Sequence, residues 1–201
     1  MLFPIDENRN LLPRDGELFY FQNFLTQFES SEYIHKLIEE LDFKNDETVV
    51  FGKHRVMNRL TAWIGDRPFI YGYSQIKRKA QPWSESILFL KSLVEVRTKS
   101  KFNSCLLNYY PSGEDGMGWH ADDERELGKN PVIASISLGA ERKFSFKHNE
   151  SKEKLDLKLK NGSLLLMSGE IQHYWKHTLP KSKKVHEPRL NLTFREIITQ
   201  P

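Results

Sequence analysis

The sequence predicts a mostly β fold with flanking helices, an α+β arrangement whose strands build a double-sheet jelly roll or a related barrel-like fold. Three observations carry this expectation. Two stretches with helical spacing of apolar residues lie before residue 100. From Phe102 onward, short period-two segments follow one another, separated by turn residues. No Gly/Ser-rich or Pro-rich stretch divides the 201 residues, so 1–201 reads as a single domain.

Residues 18–24 are short, apolar and strand-like. Thr26-Gln27-Phe28-Glu29 fits a capping box, with Thr26 as the cap and Glu29 reaching back. Ile34, Leu37, Ile38 and Leu41 then recur at helical spacing, and Lys44-Asn45-Asp46 closes the helix. Phe28 lies off that stripe, which leaves a start near Ser30 open. Residues 48–64 mix β-branched, aromatic and basic residues and read as short strands and a turn. Asp66-Arg67-Pro68 is a break, and 69–76 is a strand or an ordered loop. A second helix follows Pro82, with Ile87, Leu90 and Val94 on its apolar side, and ends near Lys99-Ser100.

Strands are then expected over 102–110, 131–138, 142–148 and 189–197, with a turn at 111–116. Leu155, Leu157 and Leu159 alternate with polar residues, and Asn161-Gly162 is the signature of a tight hairpin turn before 163–167. The segment 154–167 is therefore the strongest hairpin expectation in the chain.

Composition is that of a globular protein, 38% hydrophobic and 28% charged. No apolar run reaches the ~18 residues of a membrane span. The acidic N-terminus does not resemble a signal peptide. The lone cysteine, Cys105, reads as a small buried hydrophobe and fits a reducing compartment. An intracellular location, cytoplasmic or nuclear, and a monomer are expected. Net charge is only +3, but Lys77-Arg78-Lys79, Arg97/Lys99/Lys101 and Lys181/Lys183/Lys184 form basic clusters. Singly, each is an ordinary solvated face; convergent, they would contact phosphates.

His120-x-Asp122 is a spacing that puts two ligands on one face of a strand. With a distant histidine it makes a two-His, one-carboxylate face that leaves three positions of an octahedron open, the arrangement of non-haem Fe(II) oxygenases. Such a pair is weak by itself, and Trp119-His120 also reads as an ordinary structural pair. His173 and His177 compete for the third place, and their pattern does not choose between them. His148 reads as an exposed residue near a turn. His35, His54 and His186 read as structural or surface groups.

Arg189, Asn191, Thr193 and Arg195 occupy alternate positions, with Leu190, Leu192 and Phe194 between them. Such a strand is either an edge with a solvated side or one wall of a lined cavity. In the second case its guanidiniums offer rigid forks for a carboxylate. Asn108 and Tyr110 repeat the spacing on an earlier strand.

Together, Asn108-x-Tyr110, His120-x-Asp122, a downstream His and Arg189-x-Asn191-x-Thr193-x-Arg195 resemble the AlkB family of Fe(II)/2-oxoglutarate-dependent dioxygenases, in particular its DNA-alkylation-repair branch. The resemblance covers roughly residues 50–196. It implies a double-stranded β-helix with helices on the major sheet, a catalytic core at 102–197 and a nucleotide-recognition region at 48–80. It places the third iron ligand twelve residues before the first arginine, at His177. It gives Arg189 the distal carboxylate of 2-oxoglutarate, and Arg195 a place near the other end of that co-substrate. Asn108, Tyr110 and Asn191 match positions that bind or order it.

The same resemblance makes Phe51 a wedge that enters the base stack. Arg59, Tyr71 and Ser74 match residues near the nucleotide, and Asp123 and Glu124 match acidic positions that face the substrate. Lys181, Lys183 and Lys184 match a loop on the DNA backbone. The implied reaction consumes dioxygen and 2-oxoglutarate, yields succinate and CO₂, and removes N-methyl groups from 1-methyladenine or 3-methylcytosine as formaldehyde. The expected partner is DNA, as duplex or single strand, with the target base flipped out. An RNA demethylase, an oxygenase acting on protein or a small molecule, and a non-enzymatic nucleic-acid-binding module are the alternatives.

Overall fold

The computed structural model describes residues 6–50, 53–67, 70–73 and 76–198, with backbone alone for 46–50, 53–55, 70–73 and 76–78. The elements run β1 (Glu17–Phe21), α1 (Gln27–Glu40), β2 (Lys44–Val50), β3 (Lys53–Gly65), β4 (Ile70–Tyr73), β5 (Ile76–Lys79) and α2 (Glu85–Thr98). They continue with β6 (Ser104–Tyr110), β7 (Met117–His120), a single 3-10 turn, β8 (Ile133–Gly139), β9 (Arg142–His148) and β10 (Lys154–Leu159). The last are β11 (Ser163–Ser168), α3 (Ile171–Tyr174), β12 (Trp175–Leu179) and β13 (Arg189–Arg195).

The fold is α+β and dominated by an antiparallel sheet of seven strands in the order β1-β11-β8-β13-β6-β3-β2. A four-stranded sheet follows the order β10-β9-β12-β7, and β4 pairs with β5. One face of the large sheet carries the two long helices. Ile34 and Leu37 of α1 and Ile87, Leu90 and Val94 of α2 pack there on Leu107, Ile136, Leu190, Leu192 and Phe194. The other face meets the small sheet, where Leu18, Ile133, Leu165 and Met167 join Phe146, Leu157, Leu159 and Trp175 in a second apolar cluster. Among the described residues, no helix is long and apolar enough to cross a membrane.

The capping box of α1 forms as expected. The Glu29 N–H donates to Thr26 Oγ1 at 3.2 Å, and the Thr26 N–H donates to Glu29 Oε2 at 2.8 Å. The helix therefore begins at Gln27 and not at Ser30. It ends at Glu40, and Lys44-Asn45-Asp46 opens a strand instead of closing the helix. Thr26→Ala is expected to cost about 1 kcal/mol of stability, read as a lower urea midpoint at unchanged slope.

The hairpin expected at 154–167 does not form. Strand β10 pairs with β9 in the small sheet, whereas β11 pairs with β1 and β8 in the large one. Asn161-Gly162 is a corner that carries the chain from one sheet to the other. The two strands differ in pattern for that reason. Leu155, Leu157 and Leu159 alternate because β10 has one covered face. Ser163–Ser168 is nearly continuous in apolar residues because a central strand is covered on both. Gly162 has φ +75, and a Cβ there would meet the Leu25 carbonyl oxygen at 2.6 Å.

His148 also departs from its reading as an exposed residue. It is buried, with Nε2 at 3.1 Å from Asp15 Oδ2 and Nδ1 accepting from the Glu150 and Ser151 N–H groups. It pins the segment before β1 to the small sheet. Cys105 is buried as expected, and burial pushes its thiol up.

Candidate active site

Strands β12 and β7 set His177 directly opposite His120, with the ring centroids 4.3 Å apart. His120 Nδ1 lies 2.8 Å from the Gly118 carbonyl oxygen. A carbonyl only accepts, so Nδ1 carries the proton and Nε2 keeps its lone pair for an ion. Asp122 was expected on the same strand face as His120, but β7 stops at His120. The carboxylate is turned inward by other contacts. The Asp122 N–H donates to Gln172 Oε1 at 2.9 Å, and Arg195 Nη2 donates to Asp122 Oδ1 at 2.6 Å.

Ligand atoms of His120, Asp122 and His177 all lie within 4.8 Å of one another. His173, the competing candidate, is exposed and bonds Asn130 instead. Burial pushes His177 down to about 3, against the attraction of Asp122, so the imidazole is neutral at physiological pH. Burial alone would raise Asp122, but the adjacent Arg195 guanidinium, by its charge and its hydrogen bond, outweighs it and holds the carboxyl below the usual carboxylate range. Two imidazoles and one ionised carboxylate are the donor set that suits divalent iron with positions to spare. The His177 Nδ1 is buried without a partner among the described residues.

The depressed value of His177 has a sign. The unfolded chain binds its proton near 6.5 and the folded one does not until about 3. The metal-free protein is therefore expected to lose stability as pH falls from about 6.5 toward 3, by up to about 1.4 kcal/mol per pH unit from this group. Melting temperatures across that range check it, and His177→Gln should flatten the slope.

The three ligands line a cavity of about 350 Å³, together with the polar face of β13. Strand β13 is the middle strand of the large sheet, which rules out a solvated edge. Its Leu190, Leu192 and Phe194 face the helices, so Arg189, Asn191, Thr193 and Arg195 face the cavity. Tyr110 and Asn108 on β6 stand opposite Arg189 and Asn191.

Arg189 is 2% exposed, and among the described residues no carboxylate pairs with it. Its Nη2 donates to Ser137 Oγ at 2.9 Å and to Asn191 Oδ1 at 2.7 Å, while its Nε has no partner. Burial pushes it down to about 10; Tyr110 opposes this and Arg142 adds to it. A desolvated cation of this kind calls for an anion from outside the chain. Asn108 Oδ1 is likewise buried and unpartnered in the cavity wall.

Arg142 was not anticipated. It is buried and donates to the carbonyls of Ser112, Asp115 and Pro180, tying the turn before β7 to the loop after β12. At the head of an alternating strand, an arginine carries no signal that distinguishes a brace from a solvated cation.

Of the substrate candidates, Arg59 lies in the cavity wall with Nη1 3.2 Å from Met117 Sδ. Glu124 joins the lining and has a buried Oε2 with no partner among the described residues, whereas Asp123 is exposed and outside the lining. Lys181, Lys183 and Lys184 are exposed on the loop between β12 and β13, and Lys184 borders a separate groove against α1. Phe51 and Ser74 lie outside the described residues, and Tyr71 is placed only as backbone in β4.

Residues 17–195 match the model of the 2OG-Fe(II) oxygenase superfamily. The chain is 40% identical over 153 residues to the human "Alpha-ketoglutarate-dependent dioxygenase alkB homolog 3", covering 71% of this chain and 53% of that protein. It is 37% identical over 181 residues to the human "DNA oxidative demethylase ALKBH2", covering 85% of this chain and 69% of that one. It thus spans about half the length of the alkB homolog 3 proteins it matches. Among solved structures, "The structure of OsALKBH1" superimposes with a TM-score of 0.63 at 17% identity, covering 92% of this chain and all of that one. A prolyl hydroxylase from Trichoplax adhaerens does so with a TM-score of 0.61 at 16% identity, covering 90% of this chain and 83% of that one. These two likenesses bear on the fold.

Proposed function

The chain belongs to the AlkB family within the 2OG-Fe(II) oxygenase superfamily, and from that premise we propose that it is an Fe(II)/2-oxoglutarate-dependent dioxygenase that demethylates N-alkylated bases in DNA. The observation that carries this reading is one cavity lined both by a metal-competent triad and by a buried arginine with no counter-ion among the described residues. The two facing sheets are read as the double-stranded β-helix of the family, supported by the superpositions. The chain is read as one domain, with the strands of 48–80 as its nucleotide-recognition region.

When bound, iron and 2-oxoglutarate supply the chemistry: dioxygen oxidises the co-substrate to succinate and CO₂ and hydroxylates the N-methyl carbon, which leaves as formaldehyde. The chain's own residues bind and orient. His120, Asp122 and His177 hold the metal, and Arg195 fixes the carboxylate by its 2.6 Å hydrogen bond. Arg189 receives the distal carboxylate, held in place through Asn191 and Ser137. Tyr110 closes that end, with its ring 5.5 Å from the guanidinium, and Asn108 offers an unused acceptor. Arg59 and the unpartnered Glu124 oxygen face the place where a flipped base enters, the latter as acceptor for an exocyclic amine. Phe51, Tyr71 and Ser74 are assigned to opening the stack and seating the base, and Lys181, Lys183 and Lys184 to backbone phosphates.

Anaerobic titration with Fe(II) and then 2-oxoglutarate tests the cofactor reading through a metal-to-ligand charge-transfer band. Absence of that band sinks the enzyme reading. An aerobic assay on methylated DNA and RNA oligomers, following base mass and succinate, tests the substrate. Succinate formation without loss of base mass on any oligomer would move the substrate to protein or a small molecule.

A further inference from the structure

We infer that Trp119 is a stacking platform at the cavity mouth for the nucleotide next to the one that enters the cavity. The chain has four tryptophans. Three are tied into the fold through their indole N–H: Trp63 to Ser104 Oγ at 2.7 Å, Trp83 to Asp66 Oδ1 at 2.7 Å and Trp175 to the Arg14 carbonyl at 3.2 Å. Trp119 is 47% exposed, and its N–H has no partner among the described residues. It nevertheless belongs to the cavity lining, one residue before the first metal ligand.

Simple alternation would turn Trp119 away from a cavity that His120 faces. The strand pairing is irregular at this point. His177 opposes His120 and Leu179 opposes Met117, so three steps on β7 match two on β12. The extra residue is a bulge, which re-aims side chains beside functional sites. Gly118 adds a second, independent sign. A Cβ there would meet nothing within 4 Å among the described residues, and its φ is not in the left-handed region, so neither their packing nor the backbone demands glycine. Its missing side chain leaves open space along β7 at the step before Trp119. A planar apolar surface, half exposed on the rim of a cavity whose wall also carries Arg59, suits the π-face of a base. The rim position selects the neighbouring nucleotide, because the reacting one must reach buried Asp122 and His177.

This inference rests on the nucleic-acid reading above. The test measures KM on a methylated mononucleotide and on a methylated five-nucleotide single strand, for wild type, Trp119→Ala and Trp119→Phe. For Trp119→Ala, the ratio of the oligomer KM to the mononucleotide KM is expected to rise about 5- to 150-fold, with Trp119→Phe restoring most of it. In the metal-free protein, an unmodified five-nucleotide strand should quench the tryptophan fluorescence of wild type and leave Trp119→Phe unquenched. An unchanged ratio, or equal quenching in both proteins, overturns the platform while leaving the DNA reading intact. Wild type that neither binds nor processes any oligonucleotide overturns both.

Discussion

Arg189→Met is expected to weaken 2-oxoglutarate binding about 30-fold to several-thousand-fold, because truncating one partner of a buried, hydrogen-bonded charge pair costs about 2–5 kcal/mol. The same substitution should raise the melting temperature of the ligand-free protein. Without its anion, Arg189 is a buried cation among hydroxyls, an amide and a ring, and its burial works against its charge. Methionine fills a similar volume, Asn191 Oδ1 keeps its hydrogen bond from Ser135 Oγ at 3.0 Å, and the acceptor left without its donor is the neutral Ser137 hydroxyl, a smaller cost than a buried cation without its anion. Affinity and stability thus move in opposite directions, which a merely structural arginine would not produce. Arg189→Lys should fall between the two, keeping charge but losing the fork. Calorimetric titration with 2-oxoglutarate and differential scanning calorimetry read both effects, and unchanged affinity in Arg189→Met would refute the assignment.

Asp122→Ala should reduce Fe(II) affinity by more than the roughly 10- to 100-fold typical of losing an outer-shell partner, and turnover should disappear with it. It should also destabilise the metal-free protein by about 3–5 kcal/mol, because Arg195 is left in a mostly buried place without its carboxylate. Adding Arg195→Met to Asp122→Ala should recover most of that stability and none of the metal binding. The double variant separates the two duties of the carboxylate, and a recovery of metal affinity would show that Asp122 is not a ligand.

How far the residues announced this outcome depends on the kind of signal. Alternation on Arg189–Arg195 showed a strand with unlike faces, and the choice between solvated edge and cavity wall waited on its central place in the sheet. His177 could not be told from His173 by spacing, because α3 ends between them and only β12 turns its histidine inward. Asn161-Gly162 misled because local turn chemistry does not say which strands will pair; the contrast between an alternating and a continuous apolar run was the better guide. Arg142 gave no signal, and Trp119 read only as half of an ordinary structural pair with His120. The place of the first is set by three carbonyls distant in sequence, and that of the second by a bulge between two strands.

The opposition of His177 and His120 has a further consequence. Strand β7 has four residues and lies at the end of its sheet, where pairing is least enforced by neighbours. A slip of one residue there would turn one imidazole to the opposite face and scatter the donor set. An ion that needs both rings rewards a single alignment, and its binding free energy counts toward folding only in chains that have found it. A bound metal would thus select the molecules in which this short edge strand is correctly aligned, and at saturating iron the loaded fraction is expected to follow that alignment.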